Sequence, residues 1–161
     1  MTQQPELAVI DFLTHNKVRI KASPAAVWPR IVDLEGWRTR QKLVLVHGAL
    51  DQVGARFHAV ASEAPDAPLF VVENAEMLAA QRRTIRLTGL DGHFIGFATW
   101  ELTPMDGETI VAYDVYSRDA MLPPGQSQAE LLAVAGRAMD QGLQRLKVVV
   151  EAGVGGRHAD G

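Results

Sequence analysis

The chain has 161 residues, 47% of them hydrophobic and 22% charged, with a formal net charge of -3 and no cysteine. That length fits one domain, and folding at that size buries roughly 70% of the surface the unfolded chain exposes, so no staple is needed. The acidic balance excludes the concentrated basic face that nucleic acid or an anionic membrane requires, and the missing thiols exclude disulfides, thiolate nucleophiles and cysteine metal sites.

The start, Met1-Thr2-Gln3-Gln4-Pro5-Glu6, lacks the basic and apolar character of a secretory signal. No apolar run approaches a membrane span, so a cytoplasmic protein without integral membrane association is expected. Residues 6–21, with Leu7, Val9, Phe12, Val18 and Ile20, read as a long first strand, with a break near His15-Asn16. Ser23 suits an N-cap and Pro24 the first helical position, where a missing N–H loses no partner. A short helix to about Asp33 follows, its apolar face made by Val27, Ile31 and Leu34. Residues 35–39 form a second short helix or a turn.

Past residue 40 the pattern changes to strands: 42–47, 55–63, 69–74, 83–90, 94–102 and 109–117, rich in the β-branched and aromatic types that suit a half-buried pleated surface. Asp91-Gly92 and Asp106-Gly107 separate the later strands and readily take the positive φ of tight hairpin turns. Asp51-Gln52-Val53-Gly54 and Ala64-Pro65-Asp66-Ala67-Pro68 read as further breaks. Residues 74–83 fit a turn of helix as well as a connection. Short turns between consecutive strands imply antiparallel pairing. Ser127-Gln128-Ala129-Glu130 has capping-box spacing. From there to about Ala152, Leu131, Leu132, Ala135, Ala138, Met139, Leu143, Leu146 and Val150 recur at helical spacing, giving a helix of about 25 residues, roughly 37 Å long. The glycine-rich residues 153–161 are expected to be a disordered tail after a single domain of residues 1–152. The fold class is α+β: a curved seven-stranded antiparallel sheet around a long C-terminal helix, with two short helices after strand 1.

Five segments carry a resemblance to a known superfamily. They are Ile20–Trp28 with its Ser-Pro cap and tryptophan, Asp33-Leu34-Glu35-Gly36-Trp37, and Val53-Gly54-Ala55-Arg56-Phe57. Trp100–Pro104 with Gly107-Glu108-Thr109, and Leu143–Glu151, complete the set. Over residues 8–152 their order resembles the START-like superfamily, also called SRPBCC or Bet v 1-like, in its polyketide cyclase/dehydratase-like branch. The resemblance implies a helix-grip fold with a cavity between helix and sheet, and a small apolar or aromatic, polyketide- or lipid-like ligand. It also admits two alternatives: an aromatase/cyclase or dehydratase, and a co-chaperone- or toxin-like interaction module. A fold of this kind does not by itself imply one activity.

The residues narrow the chemistry. His15, His47, His58, His93 and His158 include no pair on one helix turn and no His-Glu-x-x-His, so neither metal nor cofactor is expected. No nucleophile elbow, phosphate loop or dinucleotide fingerprint occurs. Strand alternation points Phe57, Ala59 and Ala61 inward, with Glu63 sharing that face, and likewise Val111, Tyr113 and Val115, and Gly96, Ala98, Trp100 and Leu102. Glu73 and Tyr113 are the polar groups a cyclase would use. Each also has a plain reading, as a solvated strand residue and a core-edge tyrosine. Ala135, Ala138 and Gly142 put small residues along one strip of the long helix, which leaves room for a ligand or lets the helix lie close on the sheet. The ligand-binding set is therefore Trp37, Phe57, Glu73, Ala98, Trp100, Tyr113, Ala135 and Met139, with no residue assigned as catalytic. Partners are expected to be the apolar ligand, with a homodimer compatible and nucleic acid not.

Overall fold

The computed structural model describes residues 8–33 and 41–159, with side chains described as far as Gly153. In chain order the elements are β1 (Val9–Ile20), α1 (Pro24–Val32), β2 (Gln41–His47), β3 (Arg56–Ala61), β4 (Ala64–Leu78), β5 (Arg82–Thr88), β6 (Phe94–Met105), β7 (Glu108–Met121) and α2 (Gln128–Ala159). The strands form one seven-stranded antiparallel sheet in the order β1-β7-β6-β5-β4-β3-β2. The second short helix expected at 35–39 and the apolar position Leu34 lie outside the described residues. The helical backbone of α2 runs on to Ala159, past the end expected near Ala152.

Local chemistry sets the boundaries. The Ser23 hydroxyl accepts from the Ala26 N–H at 3.2 Å, with Pro24 opening α1, and Pro29 is carried within it. The Ser127 hydroxyl accepts from the Glu130 N–H at 3.1 Å and caps α2. Asp106 and Gly107 take φ of 51° and 79°, the doubly left-handed conformation that an Asp-Gly hairpin turn needs.

Two sequence expectations are corrected. Residues 64–68 begin β4 and do not form a break. The turn falls before Ala64, and the two prolines are accommodated because the β3–β4 ladder shifts register at Ala59/Val60 and Val60/Ala61. Residues 74–83 are not helical. After a shift between Asn74 and Glu76, β4 continues to Leu78 and turns through Ala80 at φ 60° into β5.

The core lies between the concave face of the sheet and the two helices. Ile20, Val27, Ile31, Phe57, Val72, Ile85, Trp100, Val111, Leu143 and Leu146 are all fully buried. Helix α2 packs chiefly along β1, with smaller contacts to β7 and α1. Three polar ties fix it there. Asn16 Nδ2 donates to Gly136 O at 3.2 Å, Lys147 Nζ to Arg19 O at 2.8 Å, and the Lys21 N–H to Glu151 Oε2 at 2.9 Å.

Candidate functional site: the concave face beneath the long helix

Cross-strand register assigns the concave side chains to rows. One row runs Phe57, Val72, Leu87, Gly96, Ser117, Phe12. The next runs Asn74, Ile85, Ala98, Val115, Thr14, and the third runs Arg83, Trp100, Tyr113, Asn16. Where β6 and β7 cross the middle of the first row the floor is low, because Gly96 has no side chain and Ser117 a short one. Gly96 is required there, since a Cβ would sit 2.0 Å from the Tyr116 carbonyl oxygen. Larger side chains bound this floor: Phe12, Phe70, Leu87, Val115 and Met139 are all half-buried.

The helix is buried more completely toward its C-terminus than toward its N-terminus. Leu132, Gly136, Met139, Leu143, Leu146 and Val150 share one face of α2 by helical spacing. Leu143 and Leu146 are fully buried and Val150 is 4% exposed, whereas Met139 is half-buried and Leu132 is 39% exposed. A Cβ added at Gly136 would meet no atom within 4 Å. The N-terminal half of α2 is therefore packed less closely than its C-terminal half.

A space of about 350 Å³ lies beside α1 at the β2 end of the sheet, lined by Val32, Asp33, Leu43, Val44, Leu45, Leu50, Phe57 and Arg83. The fully buried Arg83 guanidinium builds its wall. Nη1 donates to Ile31 O at 2.6 Å and Val32 O at 2.8 Å, and Nη2 donates to Asn74 Oδ1 at 2.6 Å. A cation at those carbonyls caps the C-terminus of α1 and meets the negative end of its dipole. Asn74 Nδ2 in turn donates to Leu50 O and Gln52 O at 2.9 and 3.0 Å, so one buried pair ties α1 to the β2–β3 loop.

The residues singled out from the sequence are placed as follows. Phe57, Ala98, Trp100 and Tyr113 all point to the concave face and are 6% exposed or less. Trp100 and Tyr113 stack, with ring centroids 4.7 Å apart at 14°. Ala135 and Met139 are half-buried on α2. Glu73 is on the other face: it pairs in register with Arg56 and Arg86, and Arg56 Nε donates to its carboxylate at 3.1 Å. Alternation explains this, because Glu73 follows the inward Val72. Ala138 is exposed, so the strip of small residues turned toward the sheet is Ala135 and Gly142 without it. Trp37 lies outside the described residues. Glu63 is exposed in the β3–β4 turn.

Sequence reasoning missed Thr14, Asn16 and Arg83. A signal for each was present: Thr14 and Asn16 alternate with Phe12, Val18 and Ile20, and Arg83 alternates with Ile85 and Leu87. The three rows hold Tyr113 and Arg83 but no carboxylate and no histidine. Among the described residues no three His, Cys, Asp or Glu side chains gather to hold a metal ion, and no helix is long and apolar enough to cross a membrane.

A curved antiparallel sheet gripping a long C-terminal helix over an apolar concave face defines the helix-grip, Bet v 1-like (SRPBCC) class. The family described as polyketide cyclase/dehydrase and lipid transport matches residues 13–151, and the chain belongs to that family. Solved structures share the fold. The Aha1 dimer from Colwellia psychrerythraea is 13% identical with a TM-score of 0.63, over 87% of this chain and 96% of that one. TTHA0849 from Thermus thermophilus is 19% identical with a TM-score of 0.62, over 88% and 98%. CalU16 from Micromonospora echinospora is 14% identical with a TM-score of 0.57, over 89% and 86%. No curated protein matches the sequence.

Proposed function

We propose that this protein is a cytoplasmic binder of a small apolar or aromatic, polyketide- or lipid-like molecule, held between the N-terminal half of α2 and the concave face of the sheet. One observation carries the reading: the helix face that is sealed at Leu143 and Leu146 is open at Leu132 and Gly136, above a floor lowered by Gly96 and Ser117. Apolar burial in such a concavity drives binding, and a few polar groups set orientation. The aromatase, cyclase or dehydratase alternative has less to work with, since Glu73 is turned away from the concave face.

The test is native mass spectrometry of freshly purified protein, with any bound molecule extracted, followed by thermal-shift titration with an apolar library. Gly136→Leu, whose Cβ enters open space, should abolish binding. Leu45→Trp, which crowds the 350 Å³ space beside α1, should leave it intact. The reverse pattern would move the ligand to that space, and a clean mass with no thermal shift would sink the carrier reading.

A second reading concerns assembly. Edge strand β2 exposes Val44, Leu45 and Val46 at 46%, 41% and 49%, and an apolar edge invites pairing with another strand. A homodimer across β2 would show in light scattering and be lost in Val46→Lys. A monomeric mass at all concentrations would dismiss it.

A further inference from the structure

We infer that two copies of this chain join through β2 about a two-fold axis at Val44, so that the second copy adds its own leucines to the wall of the 350 Å³ space beside α1. The inference rests on the assembly reading above and gives that assembly its register. The sheet treats its two edges differently. Along β1, Lys147 Nζ donates to Arg19 O, the Lys21 N–H to Glu151 and the Asn16 amide to Gly136 O, so α2 occupies that edge over residues 16–21. Among the described residues β2 pairs with β3 alone. It holds no proline and no acidic residue, and its one lysine, Lys42, precedes the apolar run Leu43-Val44-Leu45-Val46. Val44, Leu45 and Val46 are all exposed. The register shift between Leu45 and His47 falls at the end of the strand and leaves Gln41–Leu45 regular.

The strand is complementary to itself. In an antiparallel pair, residues directly opposite share a face, and a two-fold axis normal to the sheet keeps the concave sides of both copies together. Val44 is the middle of the seven residues of β2. An axis there sets Val44 against the partner's Val44, Leu43 against the partner's Leu45 and Lys42 against the partner's Val46, so no two lysines meet. An axis at Leu43 would leave Val46 uncovered, and one at Leu45 would set Leu43 against the partner's His47. A foreign strand would have to reproduce this pattern, whereas a second copy already carries it.

The same register reaches the space beside α1. Leu43 and Leu45 pair with Ala59 and Phe57, face the concave side and line that space. The partner's Leu45 and the partner's Leu43 then stand next to them on the same side and extend the apolar wall. A single strand pair buries less than the roughly 800 Å² per partner of a standard interface, so a weak dimer is expected, dissociating at tens of micromolar in order of magnitude.

Sedimentation equilibrium of the intact chain from about 1 to 500 µM brackets that range and should show monomer–dimer exchange. Val44→Lys and Val44→Glu should each weaken the dimer about tenfold or more, because like charges meet across the axis. An equimolar mixture of the two should form a heterodimer about as tight as wild type. Val46→Glu, set against the partner's Lys42, should stay within about threefold of wild type or tighten, while Val46→Lys loses the dimer. Both positions are exposed, so the core is untouched. A wild type that is monomeric throughout would overturn the inference and the assembly reading together. A dimer weakened by both Val44 substitutions and not restored by mixing them, or broken by Val46→Glu as by Val46→Lys, would overturn the axis at Val44 and leave assembly through β2 standing. A dimer indifferent to all of these substitutions would overturn both.

Discussion

Leu132 and Leu146 lie on the same face of α2, yet Leu146 is fully buried and Leu132 is 39% exposed. The difference measures where the sheet stops supporting the helix. Leu146→Ala should cost about 2–5 kcal/mol of stability, the range for truncating a sealed leucine. Leu132→Ala should change it by no more than about 0.5 kcal/mol while weakening uptake of an apolar ligand. Urea denaturation of the two variants checks this, and equal losses would mean that the helix is packed evenly along its length.

Arg83 donates to two carbonyls of α1 and to Asn74, with no side-chain surface exposed. Arg83→Met leaves those acceptors buried and unbonded, so a loss of about 3–5 kcal/mol is expected. Arg83→Lys should not restore it, because an ammonium cannot span the acceptors that the planar guanidinium fork reaches. Chemical denaturation of both variants gives the comparison, and a lysine variant as stable as wild type would refute the fork argument.

Gly96 and Gly107 are constrained for different reasons. At Gly107 a Cβ meets open space but φ is 79°, so Gly107→Ala should cost about 1 kcal/mol of conformational strain. At Gly96 the obstacle is the Tyr116 carbonyl 2.0 Å from the added carbon, and Gly96→Ala must push β6 from β7 at a cost of about 1–3 kcal/mol. Hydrogen exchange distinguishes them. The Gly96 variant should lose protection along the β6–β7 ladder, and the Gly107 variant only at the hairpin tip.

Stability should also depend on Glu151. Its carboxyl is held below the ordinary carboxylate range, first by the hydrogen bond from Lys147 Nζ at 2.8 Å and then by the Lys21 N–H. A carboxylate with a depressed folded-state pKa adds stability above its unfolded pKa and loses it as pH falls through the folded one. Glu151→Gln should therefore lower stability at neutral pH, by about 0.5–1 kcal/mol for a partly exposed pair. The gap should close once the pH has fallen below the range in which an ordinary glutamate titrates. A wild-type-minus-variant difference that persists unchanged at low pH would count against this.

Much of the architecture was legible because it is local. Ser23-Pro24 and Ser127–Glu130 announce helix starts by satisfying free N–H groups, Asp106-Gly107 announces a hairpin by tolerating positive φ, and period-two alternation separated Phe57, Ala98, Trp100 and Tyr113 from their outward neighbours. The same rule, applied at Val72, would have turned Glu73 outward. What only the tertiary structure decided depends on long-range pairing. Register brought Asn16 into one row with Trp100 and Tyr113, and the path of α2 along β1 made Ala138 exposed and left Leu132 uncovered. Burial of Arg83 arose because α1, distant in sequence, ends its carbonyls against β5. Periodicity tells a residue which side it faces; what waits on that side is set by elements far along the chain.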